Sequence, residues 1–501
     1  MFIVLLFSSH QNLLAQPIIE WQKTFGASGC DGAYAIQQTL DQGFIVTGVY
    51  GQSNTNGDIW VIKLLSNGEL EWEEKIGGSD FDLALSIQQT SDQGYIVTGY
   101  TDSTNGDIGS HNGGRDIWIV KLSPSGEIEW EKTYGGSVSE EAFSVKQTSD
   151  NGYIVVGFTR SDDGDVTENK GSGDAWIIKL SVDGNLEWER TYGGTRSDYA
   201  RSVQQTSDGG FIVAGSTFSD DGDVGINYGG FDFWILKLSQ DGDLDWEKSY
   251  GGSGNEEALS IQLTLDGGYI VAGLSDSNDG DVGNNMGKLD YWIIKLLQNG
   301  DLEWEKNYGG SERDIPRFIQ QTPDEGFIIA GYTSSDDGDV ANHIGKSDYW
   351  IVKISQDGIL ELEKTFGGSE SDDALSIHQT IDGGLIVAGK TLSDDGDVEN
   401  FSGGKDIWIL KLSSAFVGLN ELENDPANLT ISPNPSNGAF TISIQDISDV
   451  KLIEIINVLG STIYSSNDIQ QTNNINEIPK GVYWVKTSSR TKYSIQKIII
   501  H

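Results

Sequence analysis

Several loops of this chain carry carboxylates on a glycine turn: Asp162-Asp163-Gly164-Asp165, Asp220-Asp221-Gly222-Asp223, Asp279-Gly280-Asp281, Asp336-Asp337-Gly338-Asp339 and Asp394-Asp395-Gly396-Asp397. Hard oxygen ligands on a flexible backbone are what Ca²⁺ requires. Asp80, Glu140, Glu141, Asp198, Glu256, Glu257, Asp372 and Asp373 add acids nearby. The spacing is not the Asp-x-Asp-x-Asp-Gly of an EF-hand, and Asp and Gly are the default turn formers. Ca²⁺ on Asp162, Asp163, Asp165, Asp220, Asp221, Asp223, Asp336, Asp337, Asp339, Asp394, Asp395 and Asp397 therefore stands as an expectation beside solvated turns. Two acids can hydrolyse a glycosidic bond, but carboxylates repeated this often single out no pair. His111, His343 and His378 are read as occupying non-equivalent places, and no nucleophile triad, His-Glu-x-x-His or phosphate loop occurs. No catalytic residue is assigned.

The elements that position these loops come from a repeat. Asp58, Asp116, Asp174, Asp232, Asp290, Asp348 and Asp406 each precede a tryptophan by two residues, with a period of 58. Within one period, residues 84–90, 95–100, 116–122 and 128–134 read as four strands, A to D, joined by Gly-containing turns. Seven four-stranded units predict a seven-bladed β-propeller over residues 16–412, with a solenoid as the competing architecture. The seventh unit lacks strand D, and Ile18–Phe25 is a strand D with no strand C before it. The amino-terminal segment should thus close the ring, Lys411 facing Glu20. A three-residue turn with a bulge sets Lys63 opposite Glu71 and Ile62 opposite Trp72. The same lysine recurs to Lys353, its facing acid to Glu361. In antiparallel units the B–C and D–A loops share one face, and the A–B and C–D turns the other.

Residues present in every copy are structural by this logic, so departures from the repeat are the better clue to function. The first central position of strand A is Gln37, Gln88, Gln204, Gln262 or Gln320, but Lys146 and His378 in two units. Arg196, Arg201, Arg313 and Arg317 fall in two D–A segments. These six are the candidate ligand-binding residues. The first B–C loop is shorter than the rest, and Leu362 and Leu385 replace core aromatics.

Composition narrows the classes. Asp and Glu total 76 against 32 Lys and Arg, a formal net charge of -44. That excludes a phosphate-neutralising nucleic-acid surface, and favours solubility, cations or a cationic partner. Cys30 is the only cysteine, so no intrachain disulfide or cysteine zinc site exists. No apolar stretch after residue 16 is long enough for a membrane span. Residues 1–15 read as an export signal with a small residue, Ala15, at its end; no Lys or Arg precedes the apolar run, so the signal is atypical or begins further upstream.

After a linker at 413–428 the chain changes character. Ser432-Pro433-Asn434-Pro435-Ser436-Asn437-Gly438 precedes a strand, Ile453–Gly460 follows, and Ile478-Pro479-Lys480-Gly481-Val482-Tyr483-Trp484-Val485 leads to a basic, apolar end. These features resemble the type A C-terminal sorting domain of the type IX secretion system, covering residues 429–501. The resemblance implies a small Ig-like β-sandwich, type IX machinery as partner, export through the outer membrane and attachment at the surface. The repeats, as in Trp130–Gly136 and Gln204–Gly215, resemble a propeller family common in secreted bacterial and archaeal proteins, some of them labelled glucanase-like. The expectation is an all-β, secreted or surface-attached binding or adhesion propeller with a glycan or surface protein as ligand. The alternatives are a polysaccharide-active enzyme and a structural surface-layer protein.

Overall fold

The structure, a computed structural model, describes residues 18–27, 29–53, 56–414, 423–424 and 429–500, apart from 435, 437–438, 446, 448–449, 458–461, 467–468, 477 and 490–491. The predicted signal and most of the predicted linker lie outside the described residues. The chain divides into two compact units.

The larger unit is all strand. Its second sheet shows the pattern: strand A Asp82–Gln89, B Tyr95–Thr101, C Asp116–Leu122 and D Ile128–Tyr134. Strands B and C are rich in β-branched and aromatic residues and are buried along their whole length, as central strands packed on both faces must be. Among the described residues there are seven such four-stranded antiparallel sheets. In the seventh, Asp372–Gln379, Leu385–Thr391 and Asp406–Leu412 are completed by Ile19–Phe25. Strand A of each sheet packs against strand A of the next, and the seventh returns to the first. The A strands therefore surround the axis, and the D strands lie outermost. This is a closed β-propeller with no free sheet edge at the seam.

The glycines of the C–D turns show why the repeat tolerates little change. Gly126 has φ +91° and closes the turn through Gly126 N–H to Ser123 O at 3.0 Å. A Cβ there would also lie 2.9 Å from the Trp72 ring of the preceding sheet. One residue thus serves a left-handed turn and an inter-sheet contact. Tyr134 adds a second stitch, its hydroxyl donating to Gly184 O of the next sheet at 2.5 Å.

The hairpin register differs from the expectation by one residue. Lys63 pairs with Trp72 and Ile62 with Glu73, because an irregularity between Lys63 and Leu64 inserts an extra residue. Lys411 likewise pairs with Trp21. The ion pairs form all the same, Lys63 to Glu71 at 3.1 Å and Lys411 to Glu20 at 3.0 Å. These lysines are also buried, and the six from Lys63 to Lys353 each hold a second acid from the A–B turn: Lys121 contacts Asp92 at 3.0 Å and Glu129 at 3.1 Å.

The smaller unit places Glu423–Asn424, Lys492–Ile500, Gly481–Ser489, Val450–Asn457 and Thr462–Ser466 in one sheet. Leu429–Ser432, Phe440–Ile444 and Thr472–Ile475 form the other. Ile442, Ile455, Val485 and Ile498 pack between them as one core, a two-sheet sandwich. No helix of the described residues is long and apolar enough to cross a membrane.

Candidate functional site

The repeated acids explain themselves first. The acids at the second and fourth positions of each Asp-Asp-Gly-Asp turn fold over the Gly-Gly that follows the preceding strand D and accept amides of that segment. Asp163 takes Ser137 N–H at 2.7 Å and Asp165 takes Gly135 N–H at 3.1 Å. Asp221, Asp337 and Asp395 repeat the first contact, and Asp223, Asp339 and Asp397 the second. Asp162, Asp220, Asp336 and Asp394 are exposed. Among the described residues no group of three or more His, Cys, Asp or Glu is placed to hold a metal ion.

Beneath these turns lies a feature the sequence did not announce. At each junction the Asp that opens strand C meets the acid that opens strand A of the next sheet, on either side of the first glycine of Gly-Gly. A Cβ on Gly135 would lie 2.3 Å from Asp116 Oδ1 and 2.6 Å from Glu140 Oε2. The space beside Gly26, Gly77, Gly193, Gly251, Gly309 and Gly367 is filled by a carboxyl pair in the same way. The Oδ1 atoms of Asp116, Asp174, Asp232, Asp290, Asp348 and Asp406 are buried without a hydrogen-bond partner among the described residues. Burial, reinforced by the neighbouring acid, raises Asp174 to about 6 and Asp232, Asp290 and Asp348 to about 7.

The non-repeated residues gather elsewhere, at the axis. Strand A bulges at its fourth residue in the second to seventh sheets and at Tyr34 in the first, between Ala142 and Ser144, Ala200 and Ser202, and Pro316 and Phe318 for example. A bulged residue is released from the ladder and re-aimed. In the third, fourth and sixth sheets it is Phe143, Arg201 and Arg317. The Arg201 guanidinium lies 4.0 Å from the Phe143 ring and 5.1 Å from that of Tyr199, and Arg317 lies 5.8 Å from Tyr332. Both Nε atoms are buried with no hydrogen-bond partner among the described residues. Burial lowers the pKa of Arg201 and nearby Arg317 adds to that, opposed by Glu257, Tyr199 and Glu141.

Around them runs an aromatic belt. Phe143 stacks on Phe158 at 6.0 Å, Phe158 meets Tyr199 at 5.0 Å, Tyr199 meets Phe231 at 5.9 Å, and Phe231 stacks on Phe218 at 5.0 Å. Arg196 lies 4.9 Å from Phe218. Arg115 caps Tyr100 at 3.8 Å and is held by Asp102 at 2.9 Å and by Glu141. Arg313 is exposed, with no side-chain contact to this belt among the described residues. Belt and arginines lie toward the B–C and D–A end of the axis. The aromatics escaped the sequence reading because Tyr199, Phe218 and Phe231 stand where the other units carry no aromatic; comparing the copies position by position would have found them.

Toward the other end of the axis, Lys146 and His378 come within electrostatic reach of each other. Burial, then the charge of Lys146, lowers His378 to about 3, and burial lowers Lys146. His378 packs 4.8 Å from Phe318. The glutamines at this position are structural. Gln88 Oε1 accepts Gln147 N–H at 2.6 Å, and Gln37 and Gln320 accept equivalent amides at 2.9 Å. A lysine has no such acceptor. The histidine expectation is corrected at one point: His111 and His343 stand five residues before Asp116 and Asp348, at the same place in two sheets. Both Nε2 atoms are buried and without a hydrogen-bond partner among the described residues.

Residues 430–501 match the family model of the secretion system C-terminal sorting domain. The chain therefore ends in a type IX sorting domain and belongs to a protein secreted or attached at the cell surface. A regulatory protein of Caulobacter vibrioides, FlaEY, is 23% identical over 302 residues, 54% of this chain and 31% of that protein. The chain thus spans about a third of that relative's length. Among solved structures, a novel fungal alcohol oxidase in complex with copper has a TM-score of 0.51 at 11% identity, covering 97% of this chain and 99% of that one. At that identity the likeness is one of fold.

Proposed function

We propose that the propeller is a binding or adhesion module, delivered to the cell surface by its sorting domain, with its ligand at the axial mouth on the face of the B–C and D–A loops. The observation that carries this reading is the segregation of roles. Acids, glutamines and tryptophans that recur are used within and between sheets, whereas an arginine stands at the strand A bulge in only two sheets, as Arg201 and Arg317, and shares one end of the axis with the belt from Phe143 to Phe218. Arg196 and Arg313 lie on that same face, whereas Lys146 and His378 lie toward the other end of the axis and fall outside this site. An extracellular glycan or a surface protein is the ligand, and the Asp-Gly turns are proposed as Ca²⁺ sites only through the test given below.

The full chain on a glycan array, beside a reducing-sugar assay on plant and algal polysaccharides, tests the proposal. Binding without turnover is expected. Turnover that disappears when the junction acids are replaced would establish a polysaccharide-active enzyme instead, and neither binding nor turnover would favour a structural surface protein.

A further inference from the structure

We infer that the axial mouth takes a carboxylate-bearing saccharide, its acid group held between Arg201 and Arg317 and its sugar ring laid against the Phe143–Tyr199 face. This rests on the binding reading above and narrows it to a ligand class.

Three observations lead there independently. The first is the placement of the arginines. The chain has eight, and six of them (Arg115, Arg160, Arg196, Arg201, Arg313 and Arg317) sit at the B–C and D–A end of the sheets. In a chain of net charge -44, the long-range field repels anions. The guanidiniums set cationic donors among the acidic turns of that end, where an anion would otherwise find only repulsion. The repeated lysines do nothing of the kind, because the six from Lys63 to Lys353 are each already paired with two acids near the opposite face and Lys411 with Glu20.

The second is donor capacity. Arg115 is used internally, on Asp102 and Glu141. Arg201 and Arg317 make no ion pair among the described residues, and their Nε donors are buried and unmet. A guanidinium offers five donors in a planar fork matched to a carboxylate. Leaving a charged donor buried and unmet is costly, and an incoming carboxylate removes that cost at both residues. Glu257 and Glu141 are near enough to Arg201 to be felt but make no ion pair with it.

The third is the platform. A carboxylate alone has no use for flat apolar surface, yet five rings run from Phe143 to Phe218. Of these, Phe143, Tyr199, Phe218 and Phe231 are only partly buried. Aromatic faces with a polar handle suit the C–H face of a pyranose ring. Sheets three and four supply the belt, and sheets four and six the two arginines that make no ion pair among the described residues, so the site is lopsided about the axis, as a discriminating site should be.

The test uses the full chain and two probe sets in titration calorimetry: galacturonate and alginate oligosaccharides, and their neutral galactose and mannose counterparts. The acidic oligosaccharides should bind, the neutral ones at least about tenfold more weakly, with affinity falling as salt rises. Arg201→Gln and Arg317→Gln should each cost about tenfold or more on the acidic probes. Arg201→Lys, which keeps the charge but not the fork, should recover only part. Arg190→Gln, on an outer strand beside Asp243, should leave affinity unchanged. Melting curves confirm that each variant is folded, and Phe143→Leu gives a second route if an arginine variant is not. Equal binding of acidic and neutral probes, or arginine variants that fold and bind like the parent, overturns the carboxylate inference while leaving the binding module intact. A glutamate-rich peptide that binds where no acidic sugar does also overturns it, and no ligand of any kind on the array removes the wider reading.

Discussion

Glu131 accepts two donors at once, the Trp118 indole N–H at 3.0 Å and Gly109 N–H at 3.2 Å. Every strand C tryptophan is met this way, by Glu73, Glu189, Glu247, Glu305 and Glu363 in turn, and by Gln22 for Trp408 at 2.9 Å. The exception predicts the tolerance. Glu131→Gln should change stability by less than about 0.5 kcal/mol, since the amide oxygen still accepts. Glu131→Ala strands a buried indole donor and should cost about 1–3 kcal/mol in urea unfolding. Equal effects of the two would remove the acceptor role. The Trp-Glu pair was plainly visible as a repeat, but the partner of its glutamate was not, because that partner sits 13 residues back on the neighbouring strand. Lys121 was legible for one acid, eight residues ahead across a short turn, and illegible for Asp92, 29 residues behind.

Strand Ile19–Phe25 carries the seam of the ring. It pairs with Asp406–Leu412, and Trp21 meets Phe44 of the first sheet at 5.6 Å. The seam is reinforced at the axis, where Ile381 N–H donates to Gln38 at 2.8 Å and Ile36 N–H to Ser376 at 3.3 Å. Deleting Ile18–Phe25 should destabilise the whole propeller by on the order of 5 kcal/mol, from the lost ladder and the exposed apolar face of the seventh sheet. A peptide of that sequence added in trans should restore part of the melting temperature, whereas an unchanged cooperative transition after deletion would show that closure does not matter. At this scale the sequence was most readable, because orphan strands at the two ends are complementary by inspection. Register was less so: the extra residue between Lys63 and Leu64 is a matter of backbone geometry with no side-chain signature.

Across the molecule, two sets of carboxyls respond to pH in opposite senses. Asp232, Asp290 and Asp348 are raised from 3.8 to about 7. The folded state thus holds protons the unfolded chain has released, so their stabilising share is complete below about pH 4 and lost as pH rises through 7. Asp208 and Asp266 are lowered to about 2; their share is present above about pH 4 and lost as pH falls toward 2. The melting temperature at constant ionic strength should peak near pH 4–5 and decline toward pH 8, and Asp290→Asn should flatten that decline. A melting temperature that climbs from pH 5 to 8 would contradict the junction pairs. The same scans settle calcium: if the turns hold Ca²⁺, it should raise the melting temperature beyond NaCl of equal ionic strength, whereas equal effects leave only screening. Removing residues 429–501 should leave a folded propeller in the periplasm, and normal surface display of the truncated chain would refute the assigned export route. The junction pairs escaped the sequence because one acid belongs to Asp-x-Trp and the other begins the next unit, 24 residues on. The seam has a consequence in time as well. Ile19–Phe25 is made first and finds its partner last, after residue 406 has appeared. Closing so long a loop adds little entropy beyond a shorter one, so length is no bar, but order is imposed. The first six sheets can assemble from neighbours as they emerge, while the ring stays open until the final repeat is finished. A sealed propeller is therefore a record that the array was made in full, and a chain interrupted anywhere within the repeats keeps its first strand unpaired and open to proteases.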